Sequence, residues 1–354
     1  MKILVVGDGH SAIHEIAVAE AFRKLGHQVT TFYWHNYFKT PNIIMRHWLH
    51  GQNKLIWGPQ IRKINRDLSA KAYHLKPDLI FIYRGTHIAA MTISEIKRNI
   101  PKCQIFGYNN DNPFAPGHPP WLWRNFMASL PLYDLMFAYR KHNIEDFRRA
   151  GAQRVDLLMP WFIAEQNRPV SANCENGNDF CCDVVFIGHY ENDHRLDYIK
   201  ALSDNEVDFK LFGPDWERAP KHHWLIKHSP TKPVRGNDYN LALCSARIAL
   251  CFFSRLNRDT YTRRCFEIPA TGTFMLSEYS GDVANLFAEG VEAEFFKSPE
   301  EMILKIHKYL DDDILRRQIA EKGHRRVYQD GHDVVSRMRF VLNHVSSLDA
   351  PRGT

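Results

Sequence analysis

Two runs of alternating apolar and amphipathic segments, divided by one polar stretch, limit this chain to few folds. In the first run, residues 2–6, 28–33, 78–83, 104–109, 135–138 and 155–159 are short and apolar or rich in β-formers. Residues 13–25 and 142–150 show helical spacing and stop at Gly26 and Gly151. Short apolar strands between helices are the pattern of a parallel, doubly wound α/β sheet, because such strands are buried on both faces. Residues 165–180 (EQNRPVSANCENGNDF) are polar, without periodicity, and read as a linker. The alternation then resumes, with strands at 183–187, 209–212 and 246–253 and helices near 194–202, 299–310, 313–328 and 334–345. Two Rossmann-like domains are expected, at 1–164 and 181–332, with 333–354 as a final helix and tail. A cleft between two such halves is where ligands tend to sit. A length of 354 residues suits two domains better than one core.

The chain is 44% apolar and 24% charged, with a formal charge of +6 spread along its length. That balance favours small anionic ligands or a membrane surface and not nucleic acid, whose binders concentrate their charge. Seven cysteines in no framework spacing point to a reducing compartment. Cys181 and Cys182 are adjacent, and Cys244, Cys251 and Cys265 lie in or beside apolar segments, so free thiols are expected. The start, MKILVVGDGH, reads as a strand rather than a leader, and no apolar run is long enough to cross a bilayer. A cytoplasmic location follows as the expectation.

The segment 247–276, RIALCFFSRLNRDTYTRRCFEIPATGTFML, carries the most chemistry. It reads as strand, polar loop, short helix, a stop at Gly272, and strand. Asp259 and Glu267 are separated by seven residues, one ahead of the helix and one on it. This spacing can put a carboxylate on each side of a bound sugar nucleotide, with arginines beside its diphosphate. Elsewhere the chain shows no zinc motif, no catalytic-triad signature and no P-loop.

Other motifs admit two readings each. Gly7-x-Gly9-x-x-Ala12 follows a strand, as in dinucleotide sites, but Tyr33-Trp34-His35-Asn36 lacks the carboxylate a nicotinamide site needs there. The turn then either admits a substrate to the backbone or simply connects strand to helix. Asp111 follows a strand, at its carboxyl end, and can meet an acceptor hydroxyl, or serve a local turn. Gly188 ends another strand and Arg195 follows it, a pairing suited to phosphate. Gly213 begins a further strand-end turn, whose Trp216 can stack on a base or pack inward. His222, His223 and His228 lack ligand-spaced partners and read as a surface loop, so no metal is expected. Residues 32–66 interleave Trp34, Trp48 and Trp57 with Lys39, Arg46, Lys54, Arg62 and Lys63, as in a membrane interface, a carbohydrate surface or an ordinary helical insertion.

The second half resembles the CgeB-like glycosyltransferases, relatives of the large GT-B group with an E-x7-E element. The resemblance rests on ordered blocks: CDVVFIGH at 182–189, LFGPDW at 211–216, NRDTYTRRCFEIPATG at 257–272, EGVEA at 289–293, SPEEM at 298–302 and IAEKG at 319–323. It implies a two-lobed fold, an acceptor-side first domain, a second domain holding a nucleotide-sugar donor (UDP-, GDP- or dTDP-linked), no required metal or cofactor, and a last helix crossing back. Glu267 takes the place of the second glutamate, which holds the nucleotide ribose. Asp259 stands at the first, facing the donor sugar, and departs from the pattern by one methylene. Arg195, Arg263 and Arg264, with Gly188, Gly213 and Gly272, would serve the donor, and Asp111, His10 or His14 could act as base. A glycan or lipid-linked acceptor in cell-surface polysaccharide synthesis, with peripheral membrane contact, fits this reading. A nucleotide-sugar epimerase and a non-catalytic binding protein are the alternatives.

Overall fold

The computed structural model describes residues 1–119, 121–172, 174, 179–220, 225 and 233–348, the side chains of 346–348 excepted. His222, His223 and His228 lie outside the described residues, as do parts of 165–180 and the last six positions. The chain divides into two compact units, Met1–Pro160 with Val334–Thr354, and Trp161–Asp333.

The first unit contains β1 (Lys2–Gly7), α1 (Glu15–Lys24), β2 (Gln28–Tyr33), α2 (Ile43–Leu55), α3 (Pro59–Leu75), β3 (Leu79–Tyr83) and α4 (Ala90–Asn99). It continues through β4 (Gln104–Asn109), α5 (Arg124–Ser129), β5 (Leu135–Ala138), α6 (Lys141–Arg149) and β6 (Val155–Leu157). Its six strands form a parallel sheet in the order β2-β1-β3-β4-β5-β6. Every residue of the central strand β3 is buried, as expected where helices cover both faces. The core beneath it gathers Leu4, Ile80, Ile82, Ile105 and Phe126.

The second unit contains β7 (Cys182–Ile187), α7 (Arg195–Asp204), β8 (Phe209–Phe212), α8 (Asn237–Cys244), β9 (Ala246–Cys251), α9 (Arg264–Ala270) and β10 (Phe274–Glu278). After these come α10 (Gly281–Leu286), β11 (Glu294–Phe296), α11 (Pro299–Asp311) and α12 (Asp313–Gln329). Its sheet is also parallel, in the order β11-β10-β9-β7-β8. Val184, Ile248, Leu250 and Leu276 bury one face against Ile199, Met302 and Ile306. Helix starts follow local chemistry: Ser298 accepts from the Glu301 amide at 3.2 Å and Asp312 from the Leu315 amide at 2.9 Å. The last helix, α13 (Val334–Leu348), belongs to the first unit, where His344 meets Asp156 at 2.7 Å and the Val345 carbonyl accepts from Gln104 at 3.2 Å.

Both expected doubly wound parallel sheets are present. One expectation fails. Cys181 is not a free thiol but forms a disulfide with Cys174, and Cys103, Cys182, Cys244, Cys251 and Cys265 are the free cysteines. Adjacent positions at a strand entrance point to opposite sides, so Cys182 is buried in β7 while Cys181 is released to the preceding loop. Residues 163–168 are also fastened within the second unit, since Asn240 accepts from the Arg168 amide at 3.2 Å and donates to its carbonyl at 2.9 Å. Among the described residues no helix is long and apolar enough to cross a membrane.

Candidate functional site

In a parallel sheet the loops that follow the strands gather at the carboxyl edge, and most of the sequence-designated groups of the second unit lie there. Two strand-end turns meet first. The Gly188 amide donates to the Phe212 carbonyl at 2.8 Å, and a Cβ at Gly213, whose φ is +145°, would fall 2.0 Å from the Gly188 oxygen. Glycine is needed there because backbone packs on backbone. Trp216 is buried with its indole N–H donating to that same Gly188 oxygen at 2.9 Å. Its ring is part of the packed turn and presents no face for stacking a base.

Arg195 is 1% exposed and fully engaged by its own loop. It donates from Nε to Asp193 Oδ1 at 2.8 Å, from Nη2 to Asp193 Oδ2 at 2.9 Å and from Nη1 to the His189 carbonyl at 2.8 Å. Glu191 approaches at 3.3 Å. The guanidinium therefore stiffens the loop after β7 rather than standing open to a phosphate.

That loop is tied to its neighbours. Glu191 accepts from Ser254 at 3.0 Å and contacts His189 at 2.7 Å. Burial works against the Glu191 charge, but the His189 hydrogen bond and the Arg195 charge outweigh it, so its pKa is lowered. Arg255 Nε lies 2.7 Å from His194 Nδ1, and an arginine can only donate, so His194 accepts there and donates from Nε2 to Glu278 at 2.9 Å. The other Glu278 oxygen accepts from the Phe253 amide at 3.0 Å. One polar rim thus joins the carboxyl ends of β7, β9 and β10.

Within this edge the first turns of α8 and α9 bring four side chains together. Glu267 is buried and accepts from the Tyr239 hydroxyl at 2.7 Å, with Arg263 at 4.0 Å. Burial raises the Glu267 pKa, and Arg263, Tyr239 and Arg264 offset this only in part. Burial and the Glu267 charge push the Tyr239 hydroxyl well above its usual range, so it remains a donor. Arg263 lies over the Trp161 ring at 5.3 Å and Arg264 over the Phe186 ring at 5.7 Å. Arg264 Nη2 reaches the Phe252 carbonyl only at 3.4 Å, and its buried Nε has no hydrogen-bond partner among the described residues. A guanidinium left under-satisfied at a strand edge, beside a buried carboxylate, is suited to an anion carrying hydroxyls.

Asp259 is half-buried in the loop between β9 and α9, with its amide donating to the Ser254 carbonyl at 2.9 Å. Gly272, at φ +75°, ends α9 at the entrance to β10, so it stands at the opposite edge of the sheet from the arginines. It works as a helix stop. Free Cys251 and Cys265 pack 3.7 Å apart beneath the α9 turn.

In the first unit, His10 lies in the loop after β1 with Nδ1 2.5 Å from Asp8, and Asp111 lies after β4 with Arg84 at 2.6 Å. Strand β3 separates β1 from β4, and each residue has its own partner. His14 stacks on Tyr83 at 5.3 Å. The glycine turn after β1 is occupied from within: Glu15, buried at the start of α1, accepts from the Gly9 amide, and a Cβ on Gly7 would fall 2.6 Å from its Cγ. A carboxylate where a dinucleotide phosphate would sit excludes that use. The Glu15 pKa is raised by burial.

Sequence reasoning missed Tyr239, Glu191, His194 and Glu278. Only Glu278 left a usable signal, as a carboxylate closing an expected strand. Tyr239 reaches Glu267 through the packing of α8 on the sheet, which spacing cannot reveal.

Residues 195–343 match a family model described as Glycosyl transferase-like. None of the curated proteins matches the chain in sequence. Among solved structures, the fold is similar to that of sucrose-phosphate synthase from Thermosynechococcus elongatus, at 12% identity and TM-score 0.68 over 99% of this chain and 100% of that one. HepE of Anabaena in complex with UDP is similar at 15% identity and TM-score 0.65, over 98% of this chain and 100% of that one. The alpha,alpha-trehalose 6-phosphate synthase of Burkholderia multivorans is similar at 11% identity and TM-score 0.61, with 99% of each chain covered. The fold is that of the GT-B glycosyltransferases.

Proposed function

We propose that the protein transfers a sugar from a nucleoside diphosphate sugar to an acceptor hydroxyl, and that the donor binds at the carboxyl edge of the second unit's sheet. The observation carrying this reading is the buried Glu267, held by Tyr239 between Arg263 and Arg264 at the start of α9. Glu267 accepts from the nucleotide ribose. Arg264 and Arg263 take the diphosphate, and Asp259 orients the donor sugar. Arg195, Gly188 and Gly213 shape the loop floor.

The transition state gains positive charge on the sugar ring and negative charge on the leaving diphosphate. Fixed guanidinium groups stabilise that leaving group without the reorganisation water would need. This set supplies the role without a metal. Within the acceptor-side unit, Asp111 and His10 are the groups assigned to the acceptor hydroxyl. CgeB-like enzymes are the subgroup whose ordered blocks the chain shares. A glycan or lipid-linked acceptor in cell-surface polysaccharide synthesis suits it, with catalysis in the cytoplasm where nucleotide sugars are made.

A thermal-shift screen against UDP-, GDP-, dTDP- and CMP-sugars, with chelator present, tests the donor class. A ligand at a hundred times its dissociation constant stabilises by about 2.7 kcal/mol, raising the midpoint on the order of 5 °C. One nucleoside diphosphate sugar is expected to do so. A shift that vanishes with chelator would overturn the metal-independent site.

A further inference from the structure

Helix α2 is unusual in what it leaves in solvent. Of its side chains only Leu49 and Gln52 are buried. Ile44, Trp48, Gly51 and Leu55 recur at helical spacing and form one stripe, along which Ile44 is 79%, Trp48 50% and Leu55 49% exposed. Arg46, His47, His50 and Lys54 are exposed on the adjoining stripe. The chain beyond the helix extends the apolar one: Ile56, at φ +49°, turns Trp57 outward to 67% exposure. Trp121, 38% exposed, is fixed against the helix end by its indole N–H, which donates to the Lys54 carbonyl at 3.1 Å. Arg124 holds the Ile56 carbonyl at 3.1 Å, so the surface is preformed. Residues 21–66 contain eight Lys and Arg and no Asp or Glu.

A short helix gains most of its stability from the face it buries, and this one buries little. A contiguous apolar stripe bounded by polar groups marks a surface that something covers. Charge decides what. A second copy placed on this patch would bring basic stripe to basic stripe with no carboxylate between residues 21 and 66 to answer them. An anionic bilayer meets both demands, because Trp, Ile and Leu enter the headgroup boundary while Lys and Arg stay with the lipid phosphates.

We propose that α2, with Trp57 and Trp121, is a docking surface for an anionic lipid bilayer, a role independent of the donor site in the other unit. The full chain is floated with vesicles of phosphatidylcholine alone and of phosphatidylcholine mixed with phosphatidylglycerol. Binding is expected only to the anionic vesicles, and raising the salt to about 1 M, where the screening length is about 3 Å, should release most of it. Trp48→Glu, and separately Arg46→Glu with Lys54→Glu, should each lower the bound fraction about tenfold while keeping the wild-type melting point. Leu304→Glu, at an exposed leucine on α11 of the second unit, should leave binding unchanged. Equal flotation with both vesicle types, no flotation, or loss of binding in Leu304→Glu would overturn the proposal. A concentration-dependent dimer that Trp48→Glu abolishes, without vesicle binding, would assign the surface to a second copy instead.

Discussion

Replacing Glu267 by alanine lowers affinity for the nucleotide-sugar donor about a hundredfold, roughly 2.7 kcal/mol, as measured by calorimetric titration. The residue supplies charged acceptor atoms from a position already desolvated, so the loss exceeds that of a surface hydrogen bond. The same position carries a cost in the empty protein. Burial raises the pKa of Glu267, so the native state holds its proton more tightly than the unfolded chain does. Stability is then greatest below the ordinary carboxyl range and falls as pH rises through the raised value. Glu267→Gln keeps the volume and the Tyr239 hydrogen bond but removes the charge. It should melt higher than the parent at pH 8 without donor, while binding donor about tenfold more weakly. A variant that lost both stability and affinity would show Glu267 to be a packing residue only.

Arg264→Ala reduces kcat by about a hundredfold to a thousandfold, the range seen when one preorganised charge-stabilising donor is removed. Its Nε is buried without a hydrogen-bond partner among the described residues, and its guanidinium lies over Phe186 beside the Phe252 carbonyl, at the ends of β7 and β9. Such a group is aimed at charge that develops during reaction, so kcat falls more than KM rises. Arg264→Lys should recover little, because an ammonium cannot reproduce the planar fork. A rise in KM with kcat unchanged would make Arg264 a ground-state contact and not a catalytic residue.

The parallel sheets were legible because their strands are buried on both faces and read as apolar runs, β3 most clearly. Strand β11 was not, since three residues carry too little pattern. The Asp259–Glu267 spacing was visible because strand, loop and helix follow one another in sequence. Partners supplied by tertiary packing were invisible, as with Tyr239. Arg195 illustrates a different failure. A cation after a strand-end glycine suggests phosphate, but Asp193, two residues earlier, folds back and takes the guanidinium with both oxygens. Gly213 and Trp216 were legible as a turn, while their close approach to Gly188 depends on which strands are neighbours. The Cys174–Cys181 pairing was hidden by an odd cysteine count. The aromatic and basic content of 32–66 was plain in the sequence, but only the helix shows that Ile44, Trp48 and Leu55 share one exposed stripe.

The central claim is tested most directly by following nucleoside diphosphate and sugar together, with chelator present, in the presence and absence of a glycan acceptor. The account predicts diphosphate released in step with sugar attached to the acceptor, and a donor left unchanged when the acceptor is omitted. A donor returned as its epimer without any acceptor, or bound and never turned over, would contradict it.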